Sequence, residues 1–139
     1  MNNQTLFFDK DIDISPIKNK KIGIIGYGNQ GRAQALNLRD SKEDLIVGLR
    51  DGSKSKNKVK NDGIKTVSIE EAVKVSDVIC LLVPDEEIKD LFLDSIQPYL
   101  QKGQTILFSH GYPIHFKHIT PPNYIDVILV APSGSGKMV

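Results

Sequence analysis

The chain has one cysteine, Cys80, and no long apolar segment among its 139 residues. A single cysteine excludes an internal disulfide framework and a metal site built on several cysteines. The longest apolar run, residues 78–84, is far too short to span a bilayer. The first residues carry no basic segment and no apolar stretch follows them, so no export signal is predicted. The expected location is therefore the cytoplasm, without a membrane anchor.

The chain also lacks an excess of either charge. Eighteen basic residues oppose 17 acidic ones, for a net charge of +1, which argues against a nucleic-acid-binding or membrane-surface protein. Hydrophobic residues make up 40% of the chain and charged residues 25%, enough apolar surface for a folded core. A chain of 139 residues has room for one ordinary domain. We therefore predict a single compact domain, residues 1–139, in which any charge-based function is local.

Apolar runs of strand length alternate with segments of helical periodicity. The runs cover residues 21–25, 45–49, 64–67, 78–83, 105–108 and 125–130. Helices are predicted from the glycine-rich turn through Leu38, from a capping box at Ser68 to about Val75, and from Asp85 to Pro98. Two polar stretches, residues 50–60 and 133–137, are interpreted as loops or chain ends. Strands separated by helix-length segments predict an α/β fold, a doubly wound and mostly parallel sheet of the Rossmann type.

A glycine motif follows the first predicted strand. Gly26, Gly28 and Gly31 have the GxGxxG spacing, directly after the strand and at the start of a helix. In dinucleotide-binding folds the first glycine allows the tight turn, the second lets a pyrophosphate approach the backbone, and the third lets helix pack close to strand. Free N–H groups at the start of the helix then face the phosphates. The alternative is a tight strand-to-helix turn without a ligand.

Arg50 stands at the end of the second predicted strand, where folds that prefer NAD carry an acidic residue for the ribose hydroxyl. Arginine cannot accept a hydrogen bond, but it donates two to a phosphate, and Ser53 and Ser55 add hydroxyl donors. The pattern therefore predicts a site for the 2′-phosphate of NADP. The alternative is that residues 50–60 form a solvated basic loop.

Three histidines remain to be placed. His110 follows the predicted strand ending at Phe108, at the edge of the sheet where open α/β folds bind ligands, and an imidazole there suits acid–base chemistry. The alternative is a structural histidine. His115 and His118 have the spacing of a metal pair, but no carboxylate cluster accompanies them, and we predict no metal site from them.

Ordered blocks along nearly the whole chain resemble the N-terminal domain of ketol-acid reductoisomerase. They comprise residues 8–11, 21–31, 33–41, 47–50, 52–55, 83–86, 108–111, 114–116 and 130–132. The resemblance implies an NADPH-binding domain of an enzyme of branched-chain amino-acid synthesis, including isoleucine and valine. That family shifts an alkyl group of an acetohydroxy acid with the help of magnesium and then reduces the resulting ketone by hydride transfer.

The resemblance also assigns residues. His110 corresponds to the family's active-site histidine. The implied cofactor contacts, together with the glycines of the motif, are Gly26, Tyr27, Gly28, Asn29, Gln30, Gly31, Arg50, Ser53, Ser55, Asp85, Glu86, Glu87, Ile88 and Gly136.

Four positions depart from the family pattern: Asn29, Arg32, Ile88 and Ser133. Arg32 is expected to remain able to reach the pyrophosphate. Ser133 stands where the family has a lysine, and it brings no positive charge to a developing oxyanion. These departures leave open a non-catalytic NADP-binding module or a degenerate paralogue as the alternative function.

The family's magnesium-binding carboxylates and most of its substrate pocket lie in a helical C-terminal domain, which the resemblance places after the last residue of this chain. We therefore expect a cofactor-binding half, with magnesium held only through that other domain and no isomerisation by this chain alone. The implied partners are NADPH and either a chain carrying the helical domain or a second copy of this chain.

Overall fold

A computed structural model describes residues 7–134 and places six strands in one parallel sheet. The strands are β1 (Ile22–Ile25), β2 (Leu45–Leu49), β3 (Thr66–Ser68), β4 (Val78–Leu81), β5 (Thr105–Phe108) and β6 (Asp126–Leu129). Their order across the sheet is β3-β2-β1-β4-β5-β6, and every neighbouring pair is parallel. This is the doubly wound order of dinucleotide-binding folds, and it confirms the fold predicted from the alternating pattern.

Helical segments connect the strands. They are α1 (Asn29–Asp40), α2 (Lys56–Asn61), α3 (Ile69–Val75), α4 (Asp85–Leu91) and the single turn α5 (Tyr112–His115). A 3₁₀ turn, Asp9–Asp11, precedes the sheet. Ser68 begins α3 as the capping motif predicts, since its side chain accepts a hydrogen bond from the backbone N–H of Glu71 at 3.2 Å.

Two apolar cores cover the two faces of the sheet. Ile25, Ile79 and Ile106 pack on one face with residues of α3 and α4, while Ile24 and Val47 pack on the other with residues of α1 and α2. Both faces of the inner strands are therefore buried, which explains why their sequences are continuously apolar rather than alternating.

The winding reverses at β1. Ile24 of β1 lies beside Val47 of β2 on one side and Cys80 of β4 on the other, so the chain leaves the centre of the sheet in both directions. The carboxyl ends of strands beside such a reversal form the crevice in which open α/β sheets bind ligands. The glycine turn after β1 stands at this position.

The prediction of a loop over residues 50–60 is wrong for its second half, because Lys56–Asn61 forms α2. Val59 is the one buried side chain of this helix, and it packs in the core beneath α1. Four lysines of the 50–60 segment lie on the surface and dominate its composition. The polarity of the segment therefore gives no sign of a helix. Burial of this single valine holds the short helix α2 against the core.

The helix after Asp85 is also less regular than predicted. It is α-helical only over Asp85–Leu91, continues as a π-helical turn over Phe92–Ile96 and closes with a 3₁₀ turn that contains Pro98. Phe92 and Ile96 are both fully buried in the core, so the altered winding keeps two large side chains on the packed face.

At the edge of the sheet, β6 is exposed along its whole length. Within residues 7–134, no helix is long and apolar enough to pass through a membrane.

Candidate functional site

A cleft of about 350 Å³ lies at the carboxyl ends of β1, β2 and β4. The glycine turn forms its floor, the segment after β2 forms one wall, and the start of α4 forms the other. Its lining includes Gly26, Tyr27, Gly28, Arg50, Ser53, Ser55 and Glu87. These seven residues are among the predicted cofactor contacts, and the fold brings them to one place.

Two of the three motif glycines are required by packing. Gly26 has a φ of +97°, and a Cβ there would lie 2.6 Å from the carbonyl oxygen of Leu82. A Cβ on Gly31 would lie 2.6 Å from the carbonyl oxygen of Gly26, so α1 sits directly against the turn. These contacts agree with the roles predicted for the first and third glycines, the tight turn and the close packing of helix on strand.

Gly28 differs, since no atom lies within 4 Å of the position its Cβ would take. The protein's own packing does not need a glycine here. The first backbone bond of α1 runs from the Arg32 N–H to the Gly28 carbonyl oxygen at 2.9 Å, so the three N–H groups before it have no acceptor within the helix. No acidic residue stands in the first turn of α1. Open space, free donors and the positive end of a twelve-residue helix together suit a pyrophosphate.

Arg50 stands at the end of β2, on the wall opposite α4. Its side chain is 55% exposed, and its Nη1 atom lies 3.0 Å from the Oε2 atom of Glu87 across the cleft. The chain turns directly after it, with the Ser53 N–H donating to the Arg50 carbonyl oxygen at 3.1 Å and the Ser55 N–H donating to the Ser53 Oγ at 3.3 Å. Arg50, Ser53 and Ser55 therefore lie on one side of the cleft, and their role in binding a 2′-phosphate stays a prediction.

Behind the glycine turn, Tyr27, Arg32 and Asp62 form a hydrogen-bonded group. The Tyr27 hydroxyl donates to Asp62 Oδ2 at 2.8 Å, and Arg32 binds both carboxylate oxygens, with Nε at 2.8 Å and Nη2 at 2.9 Å. Arg39 adds a bond from Nη1 to the Asp62 carbonyl oxygen at 2.7 Å. These bonds fasten the end of α2 to the turn and to α1. They also engage Nε and Nη2 of Arg32, which does not line the cleft, and its expected reach to the pyrophosphate stays a prediction.

The contacts within the Tyr27–Arg32–Asp62 group shift the pKa values of its members. The hydrogen bonds from Arg32 and then from Tyr27 lower the pKa of Asp62 to about 2. Burial of the phenol and its hydrogen bond to Asp62 raise the pKa of Tyr27 to about 12. The ionised carboxylate and the neutral phenol are therefore the stable pair over the whole physiological range.

We expect Asp62 to stabilise the fold at neutral pH and to lose this contribution in acid. Because its pKa is lowered on folding, the unfolded chain binds more protons than the folded chain as the pH falls from about 4 to about 2, and the contribution of Asp62 is lost over that window. The free energy of unfolding of wild type should therefore exceed that of Asp62→Asn at neutral pH, and the difference should shrink below about pH 4. Urea titrations across pH measure it, with Asp94→Asn, an exposed carboxylate, as the control. A difference that does not change with pH would contradict this role.

His110 lies on the loop after β5, and its Nε2 atom is 2.7 Å from Oδ1 of Asp85 at the start of α4. Both side chains are about half exposed, at 48% and 43%. The contact joins two residues that the sequence assigned separately, one to catalysis and one to the cofactor. A carboxylate on one ring nitrogen fixes the orientation of the imidazole, so that its other nitrogen can exchange a proton with a bound molecule.

The other predicted residues that the structure describes do not line the cleft. Gln30 reaches across to the segment after β6, where its Nε2 atom lies 3.4 Å from the Gly134 carbonyl oxygen. Asn29 is the first residue of α1. Glu86 lines a separate depression beside Asp85. Ile88 is 2% exposed and packs in the core, so its side chain does not reach the cleft surface. Gly136 lies outside the described residues.

His115 and His118 pack against aromatic rings. His115 meets Phe116 edge-on at 4.8 Å between ring centroids, and His118 stacks on Tyr112 at 5.1 Å. Between residues 7 and 134, no group of three or more histidine, cysteine, aspartate and glutamate side chains is arranged to hold a metal ion.

Sequence reasoning missed Asp62. It lies 35 positions after Tyr27 and 30 after Arg32. The Asp62-Gly63 dipeptide marks a turn after α2, and a turn aspartate gives no sign of distant partners. A phenol buried in a core needs a hydrogen-bond partner, but the burial of Tyr27 is visible only in the folded chain.

Comparisons with known proteins show the family of this chain. A family model described as the NADPH-binding domain of acetohydroxy acid isomeroreductase matches residues 16–139. Among curated proteins, the ketol-acid reductoisomerase (NADP(+)) of Clostridioides difficile is 45% identical over 134 residues, covering 96% of this chain and 41% of that protein. The one of Beutenbergia cavernae is 48% identical over 134 residues, covering 96% of this chain and 39% of that protein.

A solved structure is also similar. It is the NADH-preferring ketol-acid reductoisomerase of an uncultured archaeon, with a TM-score of 0.88 and 40% sequence identity over 94% of this chain and 41% of that one. The chain thus spans about 40% of the length of the relatives it matches.

Proposed function

We propose, from the fact that the chain belongs to the ketol-acid reductoisomerase family and matches its NADPH-binding domain over residues 16–139, that it serves as the cofactor-binding half of such an enzyme. The observation that carries this proposal is the open space at Gly28 beside the free N–H groups of α1, opposite Arg50. A pyrophosphate fits the first feature and a 2′-phosphate the second.

The residues divide the work of binding. Backbone N–H groups of residues 26–31 donate hydrogen bonds to the pyrophosphate. Arg50, Ser53 and Ser55 hold the 2′-phosphate with charge-assisted and hydroxyl hydrogen bonds. The bound nicotinamide supplies the hydride that reduces the ketone. These contacts are all part of the proposal.

His110 is the proposed acid–base residue. Asp85 holds its Nε2 atom, and the imidazole stands at the carboxyl end of β5, on the nicotinamide side of the motif. There it would give or take a proton at the substrate oxygen as the hydride arrives. The proposed substrate class is the acetohydroxy acids of the family, and the magnesium-dependent alkyl migration is proposed to depend on a helical domain beyond the 139 residues.

The test has two stages. Calorimetric titration with NADPH and NADH asks whether the cleft binds a dinucleotide, and saturable binding is expected. Turnover of acetolactate with magnesium is then followed at 340 nm, with this chain alone and with a separate chain carrying the helical domain of a relative. No binding in the first stage would refute the proposal, and turnover by this chain alone would refute the need for a second domain.

A non-catalytic NADP-binding module is the second candidate, and Ser133 favours it. The position lacks the positive charge that the family's lysine supplies. Binding of NADPH together with no turnover in the two-chain assay, and recovery of turnover with Ser133→Lys, would support it.

A further inference from the structure

The Arg50–Glu87 ion pair crosses the cleft at the point assigned to the adenosine ribose. The two side chains approach from opposite walls, Arg50 from the end of β2 and Glu87 from the first turn of α4, and meet at 3.0 Å. Both also line the cleft together with Ser53 and Ser55. A group that binds beside Arg50 therefore meets a carboxylate as well as a guanidinium.

We propose that Glu87 is a specificity-determining residue that lowers the preference of this site for the 2′-phosphorylated cofactor. The inference rests on the proposed function, since it concerns the same cleft. Glu87 opposes the phosphate in two ways, by occupying Arg50 in the unliganded chain and by repelling the phosphate once it is bound.

Occupation comes first. With Glu87 against it, the Arg50 guanidinium already has an anionic partner, so a 2′-phosphate must displace that carboxylate or share the guanidinium with it. A 2′-phosphate carries close to two negative charges at neutral pH and has three strong acceptor oxygens, so it competes with the carboxylate for the same N–H donors. Breaking the Arg50–Glu87 ion pair costs free energy, and this cost weakens the binding of the 2′-phosphate.

Repulsion comes second. A carboxylate within a few ångströms of a phosphate is unfavourable in a partly exposed cleft. The unphosphorylated cofactor meets neither obstacle, because its 2′-hydroxyl carries no charge and can donate a hydrogen bond to a carboxylate oxygen. One wall of the cleft thus suits the phosphate, and the opposite wall suits the hydroxyl.

The experiment is a titration of wild type and Glu87→Gln with NADPH and with NADH, at low and at high ionic strength. Glutamine keeps the size of the side chain and removes its charge. We expect about fivefold tighter NADPH binding at low salt, a smaller gain at high salt, and equal or weaker NADH binding. Glu43→Gln is the matched control, since it removes the same charge at the opposite end of β2 and should change neither affinity.

The outcomes are distinct. A merely structural role for Glu87 would change both affinities together and independently of salt, and that result would overturn the proposal. Wild-type binding with an unchanged NADPH-to-NADH ratio in Glu87→Gln would overturn it too, while leaving the proposed function intact. Absence of binding of either cofactor to wild type would overturn the proposed function and this inference with it.

A double-mutant cycle with Arg50→Ala separates the two effects. If Glu87 acts by occupying the guanidinium, most of the gain from Glu87→Gln disappears in the Arg50→Ala background. If the repulsion of the phosphate dominates, the gain persists. A loss of NADPH affinity on Glu87→Gln in either background would contradict both routes.

Discussion

Replacing Arg50 with alanine is expected to weaken NADPH binding by about 10- to 150-fold, while NADH binding changes by no more than about twofold. The range corresponds to about 1.5–3 kcal/mol, the typical worth of hydrogen bonds to a charged group. Arg50 ends β2 on the wall of the cleft, and its guanidinium reaches into it with 55% of the side chain exposed. NADH lacks the phosphate that this guanidinium is proposed to bind, so its affinity has little to lose.

Calorimetric titration of both cofactors measures the effect, and Lys54→Ala is its matched control. Lys54 lies in the same segment and carries the same charge, but it is exposed and does not line the cleft. Its removal should cost little, and equally for both cofactors. Equal losses for NADPH and NADH in Arg50→Ala would show that Arg50 does not bind the 2′-phosphate.

Gly28→Ala and Gly31→Ala should separate binding from folding. The alanine methyl at position 28 enters open space, so the melting temperature should stay within a few degrees of wild type, but the methyl occupies the room that a pyrophosphate needs. Affinity for both cofactors should fall at least tenfold, about 1.4 kcal/mol or more. The loss is common to NADPH and NADH because the two share the pyrophosphate.

At position 31 the same methyl meets the Gly26 carbonyl oxygen at 2.6 Å, a backbone atom that cannot turn aside. The cost of such overpacking is about 1–3 kcal/mol or more, and the free energy of unfolding should fall by that amount. Urea unfolding measures the stability of both variants and calorimetry their affinity. A destabilised Gly28→Ala with unimpaired binding would contradict the assignment of Gly28 to the phosphate.

The centre of the fold was predictable because the inner strands are buried on both faces. The run at 45–49 coincides with β2 and the run at 105–108 with β5, since every residue in such a run is apolar or small. α2 was not predictable in this way, because one buried valine among lysines leaves no periodic pattern. β4 and α4 also end earlier than predicted. Leu82 and Phe92 are apolar because they pack in the cores, although Leu82 lies beyond β4 and Phe92 beyond α4.

The grouping of residues in the candidate cleft was predictable where they are close in sequence. The glycine motif and the Arg50–Ser53–Ser55 wall each occupy one short segment, so the spacing of their residues in the sequence predicts that they lie together. The contacts of Asp62 with Tyr27, of Glu87 with Arg50 and of Asp85 with His110 join elements far apart in the chain. These partners meet because of the strand order, and no single segment of the sequence predicts that order.

The turn after β1 is assembled from main-chain atoms. Gly26 rests against a carbonyl oxygen of the segment after β4, Gly31 rests against the Gly26 carbonyl oxygen, and the free donors are amides. A turn of this kind depends little on the side chain of Asn29, which lies between the second and third glycines, because its close contacts and its free donors are backbone atoms. The side chains of Tyr27 and Arg32 support the turn from behind, through their hydrogen bonds to Asp62 at the end of α2.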